Sequence, residues 1–548
     1  MRLLRAFLCA GGFFFFSTAQ ILAQGQPPPS SAAPTLQITS TLVFLDVTVL
    51  DKSGHPVVSG LTKNDFTITE DRKPQRIFSF EAPQTHVEAA NAGNDNPDGK
   101  APATILVLDL LNSDFEDFAF IRDSTRRFLI ALPARLPSPV ELMVIGNQSL
   151  ELLQGYTRDR AELLTALNHL PAAIPFKKMN EFFFWDRFQQ SVDALEQIAL
   201  ENKGIPGRKN VVWVGHGAPS INLISPDFTA QDVEDLKQYV HDATNKLVDA
   251  RISLFVIYPG LKVRGREMSI SEMDADADIG DDDPFEGDIN FGVFANETGG
   301  ELFYNRNDVD KLIARSELLG SEYYTLTYQP QDQNDEAKGK FRRIRVSLRD
   351  RSLHVVTKAG YFAPDSRERE GSRQQTMSNL VEAAQATIPF KALDVEVAGV
   401  VRHPDTGTAE FTLRLKAKDL QFIETDDGRN TAKLILAAVS RSGDNSVLAS
   451  KIVGMAVTST AQTATRQTVD VSTMHVPVVV RVPRKTRSVR LVVETEMGGR
   501  IGTVDVSRKT IDASPAAATP EPKLNPRTHR RYRPDYVRPQ PGKGGQIN

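Results

Sequence analysis

Asp109, Asn112 and Ser113 are the residues of this chain best placed to do chemistry. They close the run Thr104-Ile-Leu-Val-Leu-Asp-Leu-Leu-Asn-Ser113, an apolar strand pattern that ends on a carboxylate, with a hydroxyl four residues later where a helix is expected to begin. Such a run puts a charged oxygen and an alcohol at the carboxyl edge of a parallel sheet, the edge at which open α/β domains bind ligands. His216 lies in Gly215-His-Gly217, directly after the strand pattern Val211-Val-Trp-Val214, and is expected at the same edge. Ser113, His216 and Asp109 also invite a catalytic reading. A serine nucleophile needs a base within reach that a third group orients, and here the carboxylate and the serine share one loop. No Gly-x-Ser-x-Gly elbow, His-Glu-x-x-His pair or Gly-rich phosphate loop occurs.

A second candidate is acidic: Asp274-Ala-Asp-Ala-Asp278, Asp281-Asp-Asp283 and Asp288. Alternate aspartates set oxygens on one side of a loop, which suits calcium. The run departs from an EF-hand loop, with Ile279 at the tight-turn glycine and Phe285 at the closing glutamate. The plainer reading is a solvated loop.

Composition narrows the function classes. The 65 basic and 69 acidic residues of this 548-residue chain nearly balance, so no global charge points to nucleic acid. At ~150 residues per domain the length suggests three or four units. Arg2, Arg5, the run Phe13-Phe-Phe-Phe16 and small residues before Gln24 read as a secretory signal at 1–23, cleaved after Ala23 with Ala19 as the next choice. The single cysteine, Cys9, falls inside that signal, which leaves no thiol for disulfides or Cys-based zinc sites. No later apolar run approaches the ~20 residues that span a bilayer. The expected location is therefore secreted or periplasmic.

The elements that must hold the candidate residues follow from periodicity. Residues 24–35 are Pro, Ser and Ala rich and read as a flexible leader. Residues 36–81 carry strands separated by turn signals at Asp51-Lys-Ser-Gly54 and Asp71-Arg-Lys-Pro74. After a linker at 82–102, strand and helix patterns alternate over 103–320. The strands are expected at 104–108, 142–145, 210–214, 252–257 and 301–304, and the helices near 115–132, 159–170, 182–202, 229–250 and 308–319. Alternation of this kind argues for a doubly wound, Rossmann-like parallel sheet with helices on both faces. Trp185, Phe188, Val192, Leu195 and Ala199 share one helical face, and Trp185 reads as core. Strands return at 321–363 and would complete a β-sandwich begun by 36–81, with the α/β domain inserted. A linker at 364–383, with a possible short helix, precedes a seven-strand sandwich at 384–511. The Pro- and Arg-rich tail at 512–548 reads as disordered.

Several separated blocks then agree. Leu45-Asp-Val-Thr-Val-Leu-Asp51, Gly60-Leu-Thr-Lys-Asn-Asp-Phe66, Glu70-Asp-Arg-Lys-Pro-Gln75, Leu108-Asp-Leu-Leu-Asn-Ser113, Gly207-Arg-Lys-Asn-Val-Val-Trp213, Glu297-Thr-Gly-Gly300 and Tyr323-Tyr-Thr-Leu-Thr-Tyr328 with Gly360-Tyr361 resemble the bacterial von Willebrand factor A-related proteins abundant in acidobacteria. The resemblance implies an A-type (VWFA) domain flanked by β structure. It also implies a metal-ion-dependent adhesion site, patterned Asp-x-Ser-x-Ser, holding Mg2+ through Asp109 and Ser113. This sequence has Leu111 for the middle serine, no threonine in the second loop Lys177–Phe182, and His216-Gly217 where an Asp-Gly would stand. Magnesium tolerates poor geometry badly, so the site reads as degenerate. The resemblance does not supply an activity, since fold does not fix function; the expected function is non-enzymatic protein binding, as adhesion or scaffold, outside the cytoplasm. Asn112, Asn180 and His216 are the partner-contact candidates on loops 109–116, 177–186, 215–222 and 259–290. The alternative is calcium binding or sensing by the 274–288 loop.

Overall fold

The computed structural model describes residues 42–86, 101–113, 115–146, 149–170, 181–260, 283–330, 339–363, 373–424, 430–459 and 473–517. The signal and leader, residues 87–100 of the first linker and the tail from 518 onward lie outside them. Four strands open the described chain: β1 (Val43–Leu50), β2 (Phe66–Glu70), β3 (Lys73–Gln75) and β4 (Ile77–Glu81). Leu45, Val47 and Val49 alternate inward from β1, as do Phe66 and Ile68 from β2, so each strand buries one apolar face.

The α/β region follows. Strand β5 (Ala103–Asp109) is buried along its whole length and leads through a short loop into helix α1 (Phe115–Ala131). Strands β6 (Arg135–Ile145) and β7 (Leu150–Asp159) come next, then α2 (Arg160–His169), α3 (Glu181–Glu201) and β8 (Lys209–Val214). The short β9 (Ile221–Asn222), α4 (Ala230–Asp249), β10 (Ile252–Pro259), β11 (Asp288–Ile289), α5 (Phe291–Glu297), β12 (Leu302–Arg306) and α6 (Val309–Ser321) complete it.

The six-stranded sheet runs β12-β10-β8-β5-β6-β7, all parallel except β7, which pairs antiparallel with β6. Counted along the chain this is the doubly wound order 3-2-1-4-5-6, whose direction reverses between β5 and β8. The crevice outside the carboxyl ends of those two strands is where such sheets bind ligands. β7 and α5 extend the expected element set. β7 escapes the pattern because its pairing with β6 shifts register repeatedly and its middle is only partly buried. It then runs straight into α2, whose first turn is capped by the Asp159 carboxylate accepting from Ala161 N at 2.7 Å.

Beyond α6 the chain returns to the first strands. β13 (Tyr324–Tyr328) lies between β1 and β4, and β14 (Phe341–Leu348) lies beside β2. With β15 (His354–Val356) and β16 (Gly360–Phe362) they form sheets ordered β15-β1-β13-β4 and β16-β14-β2-β3. Their shared core contains Leu45, Val47, Ile68, Tyr324, Leu326 and Ile344. Arg208 ties this unit to the α/β sheet. Its buried guanidinium donates to Thr48 Oγ1 (2.9 Å), Ser253 Oγ (3.0 Å) and the Gly299 carbonyl (3.2 Å). A buried cation needs such partners.

Helix α7 (Arg373–Gln385) crosses the expected second linker. Among its described residues the last region has eight strands where seven were expected: β17 (Val395–His403), β18 (Thr408–Lys416), β19 (Ile423–Glu424), β20 (Asn430–Arg441), β21 (Val447–Ser459), β22 (Thr473–Arg481), β23 (Ser488–Thr495) and β24 (Ile501–Ser507). β19 is two residues long, below what a sequence pattern can register. One sheet is β17-β18-β22 and the other β19-β20-β23-β24, with β21 on β20. Leu413, Leu436, Val478 and Leu491 fill the space between them. Among the described residues no helix is long and apolar enough to cross a membrane.

Candidate functional site

The loop after β5 and the loop after β8 meet at the point where the strand order reverses. Asp109, the last residue of β5, is 0% exposed. Its Oδ1 accepts from the Asn112 backbone N–H (2.9 Å), and its Oδ2 accepts from the Trp213 indole Nε1 (3.0 Å) and the Gly217 backbone N–H (2.9 Å). The Asn112 side-chain Nδ2 bridges both oxygens at 3.2 and 3.1 Å. Burial pushes the carboxyl above its usual range, against the pull of the Trp213 and Asn112 hydrogen bonds. Asp109 therefore joins β5, its own loop, β8 and the turn beyond β8.

Two glycines make this closure possible. Gly215 (φ +147°) leaves no room for a side chain, since a Cβ there would fall 2.3 Å from Asp109 Cβ and 3.1 Å from Ser113 Oγ. Gly217 (φ +68°) turns its N–H toward Asp109, and a Cβ there would fall 2.6 Å from the Phe291 ring. Between them His216 is lifted outward. Its ring stacks on Tyr258 at 4.1 Å and 5°, and Tyr258 in turn meets Tyr304 at 5.0 Å. His216 Nε2 lies 3.3 Å from Asp117 Oδ2 at the start of α1, close enough for an ion pair but off the hydrogen-bonding direction.

The donor set does not fit a metal at Asp109. A carboxylate offers about four lone-pair sites, and four N–H groups already take them. Leu111 is buried and has no lone pair to give. Ser113 Oγ is buried without a hydrogen-bond partner, so it alone retains ligand capacity. In this geometry nitrogen donors occupy the Asp109 lone pairs through which the expected Mg2+ would be held, and Ser113 Oγ is left over. The same bonds occupy Asp109, and among the described residues Ser113 Oγ makes no hydrogen bond to His216 or any other base. Among the described residues no group of three or more His, Cys, Asp or Glu side chains is gathered for a metal.

Asn112, a partner-contact candidate, is turned inward. It is buried, its Nδ2 donates further to Ser191 Oγ (3.0 Å), and its Oδ1 accepts from Arg187 Nε (3.0 Å), so its amide is spent inside the protein. Asn180 lies outside the described residues, as do 261–282 of the acidic loop. Asp283, at the end of that loop, faces His241 Nε2 at 3.0 Å and Lys237 Nζ at 3.5 Å. Burial raises its carboxyl, and the hydrogen bond and charge of His241, the Phe285 backbone N–H and the Lys237 charge together more than offset this, so it lies below its usual range.

Sequence reasoning overlooked the exposed apolar residues around this edge. Trp185, expected in the core, is 41% exposed near the start of α3 and packs edge-on against Phe184, Phe188 and Phe228. Phe115 opens α1 at 59% exposure, and Ile224, beyond β9, is 80% exposed. The signal was present in part: Trp185 lies one turn from the start of α3, where the apolar stripe reaches the end of the layer.

No family model and no curated protein matches the chain. Among solved structures it is similar to the SpRpn10 VWA domain, at 19% identity and TM-score 0.23, over 40% of this chain and 96% of that one. It is also similar to the manganese-loaded TRAP protein of Plasmodium vivax, at 14% identity and TM-score 0.24, over 48% of this chain and 93% of that one. Fold and site together define a doubly wound α/β domain whose ligand-facing edge is closed over its own carboxylate.

Proposed function

We propose that this chain is an exported, non-enzymatic binding protein of the von Willebrand factor A type that grips a protein partner without a metal at Asp109. The partner, in the cell envelope or outside the cell, meets the rim formed by Phe115, Trp185, His216, Ile224 and Tyr258. The observation that carries this reading is the division of labour at the switch point. Asp109 and Asn112 are consumed internally, whereas the aromatic and aliphatic side chains around them are left to solvent. Exposed aromatics supply most of the energy where protein surfaces meet, and apolar groups gathered at one edge mark such surfaces. The motif blocks between Leu45 and Tyr361 and the sheet order support the family assignment.

The test is affinity capture from envelope extract with the full chain, run with and without chelator. The expected result is one retained partner whose recovery ignores the chelator and is lost in Trp185→Ala. Recovery that depends on divalent metal, or that survives both Trp185→Ala and Ile224→Ala, contradicts the proposal.

A further inference from the structure

A second pair of buried carboxylates lies well apart from Asp109. Glu141 sits within β6 and Glu201 is the last residue of α3; they are 1% and 2% exposed. Among the described residues, Glu141 Oε2 and both carboxylate oxygens of Glu201 meet no hydrogen-bond donor. The neighbouring phenol cannot help, because Tyr156 OH, from β7, donates to Asn202 Oδ1 at 2.7 Å. Burial pushes the Glu201 carboxyl up to about 8, and burial together with the charge of Glu201 carries Glu141 well above its ordinary range. The charge of Lys391, on the approach to β17, eases Glu201. Glu201 also ends a helix, where the partial negative charge of the last carbonyls disfavours an anion and favours a cation.

Buried carboxylates without partners are costly, and they persist where something completes their shell. Protonation of the pair is the alternative to a bound cation, since buried acids without partners otherwise neutralise. We infer that Glu141 and Glu201 form a buried site for a hard divalent cation of the calcium class, where β6, β7 and the end of α3 meet. Calcium accepts oxygen ligands in flexible geometry. Here it would draw two carboxylates from the protein, with the Tyr156 phenol oxygen and water available to fill the shell. The site lies at a junction between layers. Gly204, just past α3, packs against the Gly498 carbonyl and accepts from Arg500 Nε (3.1 Å), while Thr387 Oγ1 donates to the Leu150 carbonyl (2.6 Å). A bound ion would brace the α/β layer against the last sandwich.

The test uses the full chain, comparing melting in calcium with melting in chelator and following terbium luminescence sensitised through Tyr156. Calcium is expected to raise the melting temperature and to displace terbium. Both effects should vanish in Glu141→Gln and Glu201→Gln and persist when Asp274, Asp276 and Asp278 are all changed to Asn. Should the Gln variants fail to fold, equilibrium dialysis of the unaltered chain decides, with calcium retained per chain expected. No calcium retained, no effect on melting, or an equal effect in the Gln variants overturns the site. Glu201→Gln melting above the unaltered chain at pH 8, with or without calcium, also overturns it and assigns the pair a shared proton.

Discussion

Asp109 and the Glu141–Glu201 pair are both buried carboxylate centres in one α/β layer, and they are solved in opposite ways. Asp109 collects N–H donors from Asn112 and Gly217, on loops at the carboxyl edge of the sheet, and from Trp213 near the end of β8. Glu141 and Glu201 sit where regular elements supply no donors, because strand and helix backbones have spent theirs on each other. The lesson is that burial of an acid does not reveal its role. The inventory of its lone pairs does. A satisfied acid organises structure, and an unsatisfied one calls for a ligand.

The contrast can be broken by substitution. Asp109→Ala should have the largest effect, since it strands the Trp213 indole and two backbone N–H groups; at about 1–3 kcal/mol for each buried orphan, a loss of roughly 3 kcal/mol or more is expected in denaturant unfolding. A loss near zero would mean Asp109 is no hub. Gly215→Ala comes next, because its Cβ collides with Asp109; melting should report about 2 kcal/mol. Trp185→Ala should leave folding nearly intact while weakening partner binding by about 2 kcal/mol, read by titration calorimetry against the captured partner. His216→Ala should be the mildest, with stability within about 0.5 kcal/mol as for partly exposed side chains generally.

A pH series sharpens the other side. The carboxyl of Glu201 is raised to about 8 and that of Glu494 to about 7, both chiefly by burial. For groups raised on folding, the stabilising contribution is complete below the unfolded value near 4.5 and is lost as pH climbs through the folded value. In chelator, therefore, stability should decline between about pH 5 and pH 8, and Glu201→Gln should flatten the upper part of that decline.

Much of the α/β layer was legible because its strands are continuous apolar runs and its helices carry clear stripes. The run from Thr104 to Asp109 announces both the strand and the carboxylate at its end. Asn112 lies close enough in sequence to be read as a donor to Asp109, but Trp213 on β8 and Gly217 in the turn beyond it are distant in sequence, and local patterns do not register such contacts. Asn112 looked like a loop residue free to meet a partner, and only the position of Ser191 and Arg187 shows it to be consumed. Trp185 continued a helical stripe whose end happens to project past the core. Glu141 was hidden for the opposite reason. A lone acid in the strand Arg135–Ile145 resembles a solvent-facing position of an alternating strand until both faces prove covered.

The most direct test is a manganese titration of the full chain and of Asp109→Asn, followed by electron paramagnetic resonance. If nitrogen donors fill every lone pair of Asp109, the two proteins will bind manganese identically. Manganese held by the unaltered chain and released in Asp109→Asn would contradict the account.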